Sequence, residues 1–375
     1  MGYAVYTYNV AKLLVPLLVT AGLLIYRKYL RQIPMRVLLL NFVFFSLWLF
    51  PLFYDSLWGE GQKRFNSLSI FNNSEITADI NYHRGQIDDW DLSWQKLFHN
   101  KAVEWVRAGI KNYLSAFDPS FLFFDGQADI PRHGVSGWGL LYVWMAPFLI
   151  LGLIKLWNDR IKFFNQLVFA WLILSPVPSA LTVDGAHHAT RLFAMLIPLI
   201  VITAWGIVYS YDILRIKFKS LISGFLIIIL LTNLLFYLQN YFWHYSQTRF
   251  RSWGYGMKQA VEFAKSVEDQ YDQIIITKNY IHLPMLYYLF YNQYDPELVQ
   301  SLFFTAKLYG KAPPTARIGK YSFLSISRGD STRPPNSLYV AGVPGDQTEG
   351  WQEIGRVESP DLNDSQAVLL FLSSK

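Results

Sequence analysis

Cysteine is absent from this 375-residue chain, and Asp, Glu, Lys and Arg together supply only 16% of it. The first absence excludes disulfide-stapled modules and thiolate metal sites. The second, beside 52% apolar and 17% aromatic residues, excludes a disordered chain, which needs high charge and few aromatics. Also missing are a Walker A loop and a His-Glu-x-x-His helix. The stretch Gly134-Val-Ser-Gly-Trp138 lacks the last glycine of a nucleophile elbow, and Gly254-Tyr-Gly256 lacks the third glycine and preceding strand of a dinucleotide loop. There is no internal repeat and no low-complexity segment.

What the chain does have is apolar length. A bilayer core of ~30 Å is crossed by ~20 residues of helix, and six runs approach that length: Val5–Tyr26, Val37–Tyr54, Trp138–Ile154, Phe163–Val183, Leu192–Tyr211 and Leu221–Trp243, with Lys12 their only charge. The expected fold class is therefore an α-helical polytopic membrane protein with about six transmembrane helices.

The net charge of +6 raises nucleic acid as a partner, but its placement argues otherwise. Three short connections hold Arg27, Lys28, Arg31 and Arg36; Lys155, Arg160 and Lys162; and Arg215, Lys217 and Lys219, against only Asp159 and Asp212. Ten basic residues against two acidic ones mark the cytoplasmic side. The intervening loop, Asp55 to Gly137, carries eight basic and eleven acidic residues. The expected location is the plasma (inner) membrane, with this loop and the tail extracytoplasmic and no nucleic-acid partner. Met1 then lies outside, just before the first span and without the basic n-region of a signal peptide. That is the arrangement expected of a chain whose earlier spans are missing.

Four regions follow: 1–54 with two spans around a basic turn containing Pro34; 55–137, the outer loop; 138–243 with four spans; and 244–375, a small α/β domain. Within the loop, 96–117 has helical periodicity, with Phe98, Ala102, Trp105, Val106, Ile110, Tyr113 and Phe117 on one face and Lys101, Glu104, Lys111 and Asn112 elsewhere. An amphipathic helix between spans fits the membrane interface, or packs on the rest of the loop. In the tail, helices are expected over Met257–Val267 and Leu283–Tyr291, and strands over Gln273–Thr277, Tyr321–Ser327, Ser337–Val343 and Ala367–Ser373.

Candidate chemistry gathers at the outer ends of the spans. Arg132 and His133 stand at the mouth of the third span, and His187, His188 and Arg191 in the turn between the fourth and fifth. A guanidinium binds phosphate bidentately and imidazoles add donors, so together they suit a lipid phosphate. Interfacial snorkelling or contact with anionic phospholipid explains the same residues without a dedicated site. Lys12 is a weaker phosphate candidate. Zinc on His133, His187 and His188 lacks helical ligand spacing. The acidic run Asp88-Asp89-Trp-Asp91 suits a metal or a general base, or simply a solvated loop. The sequons at Asn72-Asn-Ser74 and Asn363-Asp-Ser365 matter only in a eukaryotic secretory host.

The run Asp118-Pro-Ser-Phe-Leu-Phe-Phe-Asp-Gly126, then Pro-Arg132-His133 and Gly137-Trp-Gly-Leu-Leu-Tyr142, followed by an apolar span with Pro147, resembles bacterial members of the GT-C superfamily of polytopic glycosyltransferases. These are relatives of protein O-mannosyltransferases and the lipid A aminoarabinose transferase. The resemblance continues through Ser175-Pro-Val-Pro-Ser179, His188-Ala-Thr-Arg191, Tyr271-Asp-Gln-Ile-Ile-Ile-Thr277 and Phe290-Tyr-Asn-Gln-Tyr-Asp-Pro296. It implies transfer of a sugar from a polyprenyl-phosphate donor to an extracytoplasmic acceptor (protein, lipid or glycan), with no covalently bound cofactor and a metal requirement left open. It also implies a general-base carboxylate in a loop after a family member's first helix. No loop of that kind precedes Val5, so that carboxylate is expected to lie outside this chain and is not transferred to Asp88 or Asp89. An O-antigen-ligase-like transferase is the rival enzyme; a non-catalytic remnant or partner subunit is the rival without chemistry.

Overall fold

A computed structural model of the protein describes residues 3–58, 68–72, 74–85, 96–127, 131–213, 218–281, 283–300, 317–326, 334–361 and 366–374. The chain divides into two compact units, Met1–Tyr237 and Leu238–Lys375.

The first unit is helical: α1 (Asn9–Ile25), α2 (Met35–Trp58), α3 (Ser74–Gly85), α4 (Lys101–Ser115), α5 (Ala146–Asn158), α6 (Phe163–Leu174), α7 (Leu196–Ile213) and α8 (Lys219–Gln239). Among the described residues four stretches are long and apolar enough to cross a membrane: Met35–Asp55, Phe163–Ala180, Ala189–Ile213 and Lys219–Thr248. The other two expected spans are shorter helices, for identifiable reasons. Tyr8 takes an extended conformation (φ −142°, ψ 132°) and splits the first apolar run into Ala4–Thr7 and α1. In the third run, Trp138 to Tyr142 is not helical. Pro147, which the sequence suggested lay inside a span, sits in the first turn of α5, where its missing N–H costs nothing.

Helices apolar on every side belong in a core or in lipid. Neither α8 nor any described side chain of α2 is buried, and Leu40, Phe42 and Leu47 of α2 are each at least 70% exposed. At the centre α5 and α7 cross at backbone contact. A Cβ on Gly206 would lie 1.7 Å from the Phe148 carbonyl oxygen, and one on Gly152 1.9 Å from that of Ile202. Such close approach is how small residues drive helix association where burial from water contributes little.

Helix α4 has three stripes. Asn100 caps it, its side chain accepting from Val103 N (3.1 Å). Glu104 and Asn112 are buried against the protein, with Trp105 and Ala108 packed on the Ile70, Ile76 and Ile80 cluster. The apolar residues Val106, Ile110 and Leu114 face outward, beside exposed Arg107 and Lys111. A helix that turns polar groups inward and an aliphatic stripe outward is inverted relative to one packed in water.

The second unit carries α9 (Met257–Ser266), β1 (Gln273–Ile276), α10 (Pro284–Tyr291), β2 (Arg317–Ile318), β3 (Tyr321–Phe323), β4 (Ser337–Gly342), β5 (Gln352–Glu358) and β6 (Ala367–Ser373). The strands form one sheet in the order β2-β3-β1-β4-β6-β5, with β1 parallel to both β3 and β4 and the remaining pairs antiparallel. Met257, Ala260, Val261 and Ala264, one face of α9, pack on Ile274, Ile276, Leu338, Val340 and Leu369.

Candidate functional site

The site is built where α6 ends. The amide of Ser175 (3.0 Å) and its hydroxyl (2.7 Å) both donate to the Trp171 carbonyl, and Pro176 and Pro178 break the ladder, leaving a single turn, Val177–Ala180. The segment after it is clamped from two sides. Val183 N donates to Leu68 O (2.9 Å) and Ile70 N to Leu181 O (3.2 Å), while the buried carboxamide of Asn112 donates to Thr182 O (2.7 Å) and Ala180 O (3.4 Å). Asn112→Leu removes both bonds, leaving Thr182 O only the Gly185 amide (3.1 Å), and should cost about 1–3 kcal/mol. A thermal unfolding midpoint equal to that of the parent would show that the clamp is dispensable.

The turn that follows presents its ionisable groups in a fixed order. Gly185 allows it to close, since a Cβ there would lie 1.9 Å from Ser179 O, and Ser179 Oγ donates to the Gly185 carbonyl (2.7 Å). Closure brings Asp184 onto Arg191: Nη1 donates to Oδ1 (2.6 Å), Nη2 to Oδ2 (3.1 Å), and Nη1 also to Thr182 Oγ1 (2.5 Å). His187 adopts a left-handed φ of 51°. Its Nε2 lies 3.1 Å from Asp118 Oδ2 and its ring stacks on Phe121 at 5.4 Å. His188 is buried, with Nδ1 3.1 Å from Thr190 Oγ1 and Nε2 3.7 Å from Asp184 Oδ2. Tyr8 reaches the same spot, donating to Thr190 Oγ1 at 3.3 Å.

Gln127, buried, joins this turn to the Pro131–His133 loop. Its Oε1 accepts from Ala189 N (2.9 Å) and stands 2.9 Å from His133 Nδ1. Because that oxygen can only accept, His133 carries its proton on Nδ1, and Nε2 becomes a donor only when the ring is protonated. The His133 and His188 rings are 5.5 Å apart. Of the five residues singled out from sequence, His133, His188 and Arg191 are thus assembled around Gln127 and Asp184. Exposed Arg132 adjoins them, and His187 is turned toward Asp118.

The electrostatics differ from a simple ring of cations. Burial, reinforced by Arg191, holds His188 down at about 4, against the opposing pull of Asp184. Burial first, then Arg132 and Arg191, lowers His133. At neutral pH both imidazoles enter as neutral hydrogen-bonding groups. Partial burial works against ionisation of Asp184, but the hydrogen bonds and charge of Arg191 outweigh it and keep the carboxylate ionised. The fork of Arg191 is therefore already held by a carboxylate, and exposed Arg132 lies in the adjoining Pro131–His133 turn.

Beside His133 and Gln127 opens a cavity of about 410 Å³ whose other walls include Trp138, Leu196, Ile200 and Tyr237. Trp138 meets Tyr237 edge to face at 5.5 Å. The cavity is polar at the loop end and apolar along the helices. Neither Gln127 nor Asp184 was picked out as a site residue from the sequence. Gln127 carries no signal there, whereas Asp184, seven residues before Arg191 across a Gly-containing turn, could have been found. Among the described residues no three His, Asp or Glu side chains gather to hold a metal, and the acidic run at Asp88 lies outside the described residues. No protein-family model, curated protein or solved structure matches this chain.

Proposed function

We propose that the chain is a multi-pass protein of the plasma (inner) membrane that supplies the lipid-phosphate side of a GT-C-like glycosyltransferase, which uses a sugar carried on a polyprenyl phosphate. On this reading α1 and α5 join the four longer helices as spans, α4 lies at the interface, and the basic connections face the cytoplasm. The outward aliphatic stripe of α4, and α2 and α8 with no described side chain buried, support a lipid setting. One observation carries the assignment to lipid phosphate: a cavity with apolar walls that ends at His133 and Gln127, with Arg132 in the adjoining turn.

An isoprenoid chain lies against Leu196, Ile200 and Tyr237 while its phosphate meets the Arg132 guanidinium at the loop end. In transfer, charge develops on the phosphate as it leaves the anomeric carbon. A preorganised cation there stabilises that charge without reorganisation. His133 donates from Nε2 only once protonated, so it adds to the site as pH falls.

Photo-crosslinking of a polyprenyl phosphate to the full chain in nanodiscs tests the reading. Arg132→Ala should weaken labelling at least tenfold, about 1.4 kcal/mol, and leave labelling by the phosphate-free polyprenol unchanged. Equal labelling of parent and variant would remove Arg132 from the site. No difference between phosphate and alcohol in the parent would remove lipid phosphate altogether.

A further inference from the structure

We infer that a second cavity, enclosed by α1, α5 and α6, is a dedicated site for an anionic glycerophospholipid. It is larger than the candidate site, about 730 Å³, and lies between the last turns of α1 and α5 and the first turns of α6, with Leu24, Leu153, Leu156 and Phe169 among its apolar walls. That volume falls in the range of about 300–1,000 Å³ typical of pockets that enclose small ligands. At its polar end stand Arg160, Asn165 and Gln166.

These three groups are disposed differently. Buried Asn165 is committed to the backbone, its Nδ2 donating to Asp159 O (3.0 Å). Arg160 lies over the Trp157 ring at 5.2 Å and donates from Nη1 to the Trp157 carbonyl (3.1 Å), leaving most of its five donors for a ligand. Among the described residues no carboxylate pairs with it: the adjacent Asp159 is taken by Lys162 (2.7 Å) and Lys155 (3.3 Å), which hold its carboxyl low chiefly through the Lys162 hydrogen bond. The Gln166 side chain has no hydrogen-bond partner among the described residues.

The rim is positive beyond Arg160. Tyr26 stacks on Phe163 at 5.5 Å, which brings Arg27 and Lys28, the residues immediately after Tyr26, to the start of α6. An exposed Trp157 at the same level is the amphipathic ring expected where hydrocarbon meets headgroups. An apolar cavity beneath a cluster of cations and a donor-rich amide complements one occupant: an acyl chain below and a phosphodiester above. A zwitterionic lipid fills the cavity equally well, but its own ammonium competes for the phosphate and is repelled by the rim.

This inference rests on the membrane location and is independent of the transferase reading. Native mass spectrometry of the purified full chain, delipidated and then given phosphatidylglycerol or phosphatidylcholine, tests it. The parent should retain one phosphatidylglycerol in preference to phosphatidylcholine. Arg160→Ala should cut that retention by about fivefold, the effect of one basic residue near an anionic headgroup, and leave phosphatidylcholine unaffected. Ala170→Trp, which fills the cavity, should reduce both. Equal retention of the two lipids by the parent, or unchanged phosphatidylglycerol on Arg160→Ala, overturns the proposal; so does displacement of phosphatidylglycerol by a polyprenyl phosphate from the Arg132→Ala variant. Membrane fractionation of the same cells reads the location separately, so loss of the lipid site and loss of the membrane assignment give different results.

Discussion

Gly206→Leu should abolish recovery of folded protein, and Gly152→Leu should do nearly the same. At both positions the space a side chain needs is filled by backbone: Phe148 O is 1.7 Å and Ile202 O 1.9 Å from where the Cβ would lie. A flexible side chain can rotate away from an intruding methyl, but a helix carbonyl cannot without moving its helix. Overpacking a core ordinarily costs about 1–3 kcal/mol, and this geometry demands that α5 and α7 separate along their whole contact. Even Gly206→Ala should reach or exceed the top of that range. Gly22→Ala and Gly224→Ala supply the contrast, because nothing lies within 4 Å of either Cβ position; they should be neutral, or stabilising by up to about 1 kcal/mol through helix propensity. Fluorescence-detected size-exclusion chromatography of a fusion, followed by thermal melts, separates the two pairs. A monodisperse, normally stable Gly206→Leu variant would mean that α5 and α7 do not cross as described.

The same crossing shows what a sequence pattern can carry. Hydropathy located the apolar helices, though not the polar α3, because each residue contributes to it independently. It could not show that Gly152 and Gly206 face one another, since that depends on two runs meeting at one height. It also placed the third span too early. Trp138 to Tyr142 is apolar enough to read as membrane helix, yet its backbone is tied elsewhere, with Leu141 N donating to Leu122 O at 2.8 Å. In the second unit, Ala367–Ser373 was legible to the residue because a run of Val, Leu and Phe between turns leaves little alternative. Strand β5 was missed for the opposite reason. Gln352, Glu353 and Glu358 are exposed, the strand lies at the edge of the sheet, and its register shifts twice. Charge and irregularity are what protect an edge from further pairing, and they erase the alternation by which strands are recognised.

At the site, residue types were more legible than their states. Arg132, His133, His188 and Arg191 lie close together, but the sequence offered them as cations. The fold neutralises the idea in two ways: Asp184 occupies the Arg191 fork, and burial beside that guanidinium disfavours imidazolium on His188. Both depend on the tight turn at Gly185, so neither is visible in a composition. The consequence is measurable as a pH dependence.

Stability of the first unit should fall steeply as pH drops from 7 to 5. In an opened turn His188 takes up a proton near its usual pKa of about 6.5; in the folded turn it does so only near 4. Between those values the unfolded state binds more protons than the native one, so stability rises with pH through the window. The contribution is fully present above about pH 6.5, is lost progressively below it, and amounts to about 3 kcal/mol across the whole span and about 2 kcal/mol by pH 5. The groups facing His188 are Asp184, Arg191, His133 and the Thr190 hydroxyl. The lowered His133 acts in the same direction, whereas ionised Asp184, itself held low, loses its contribution only at more acidic pH. Thermal melts of the purified chain at pH 7, 6 and 5 read the slope. His188→Gln retains a donor and acceptor but cannot titrate, so it should flatten most of the dependence while leaving the pH 7 midpoint within a few degrees of the parent. An unchanged slope in that variant would place the titrating group elsewhere and return His188 to the surface as an ordinary imidazole.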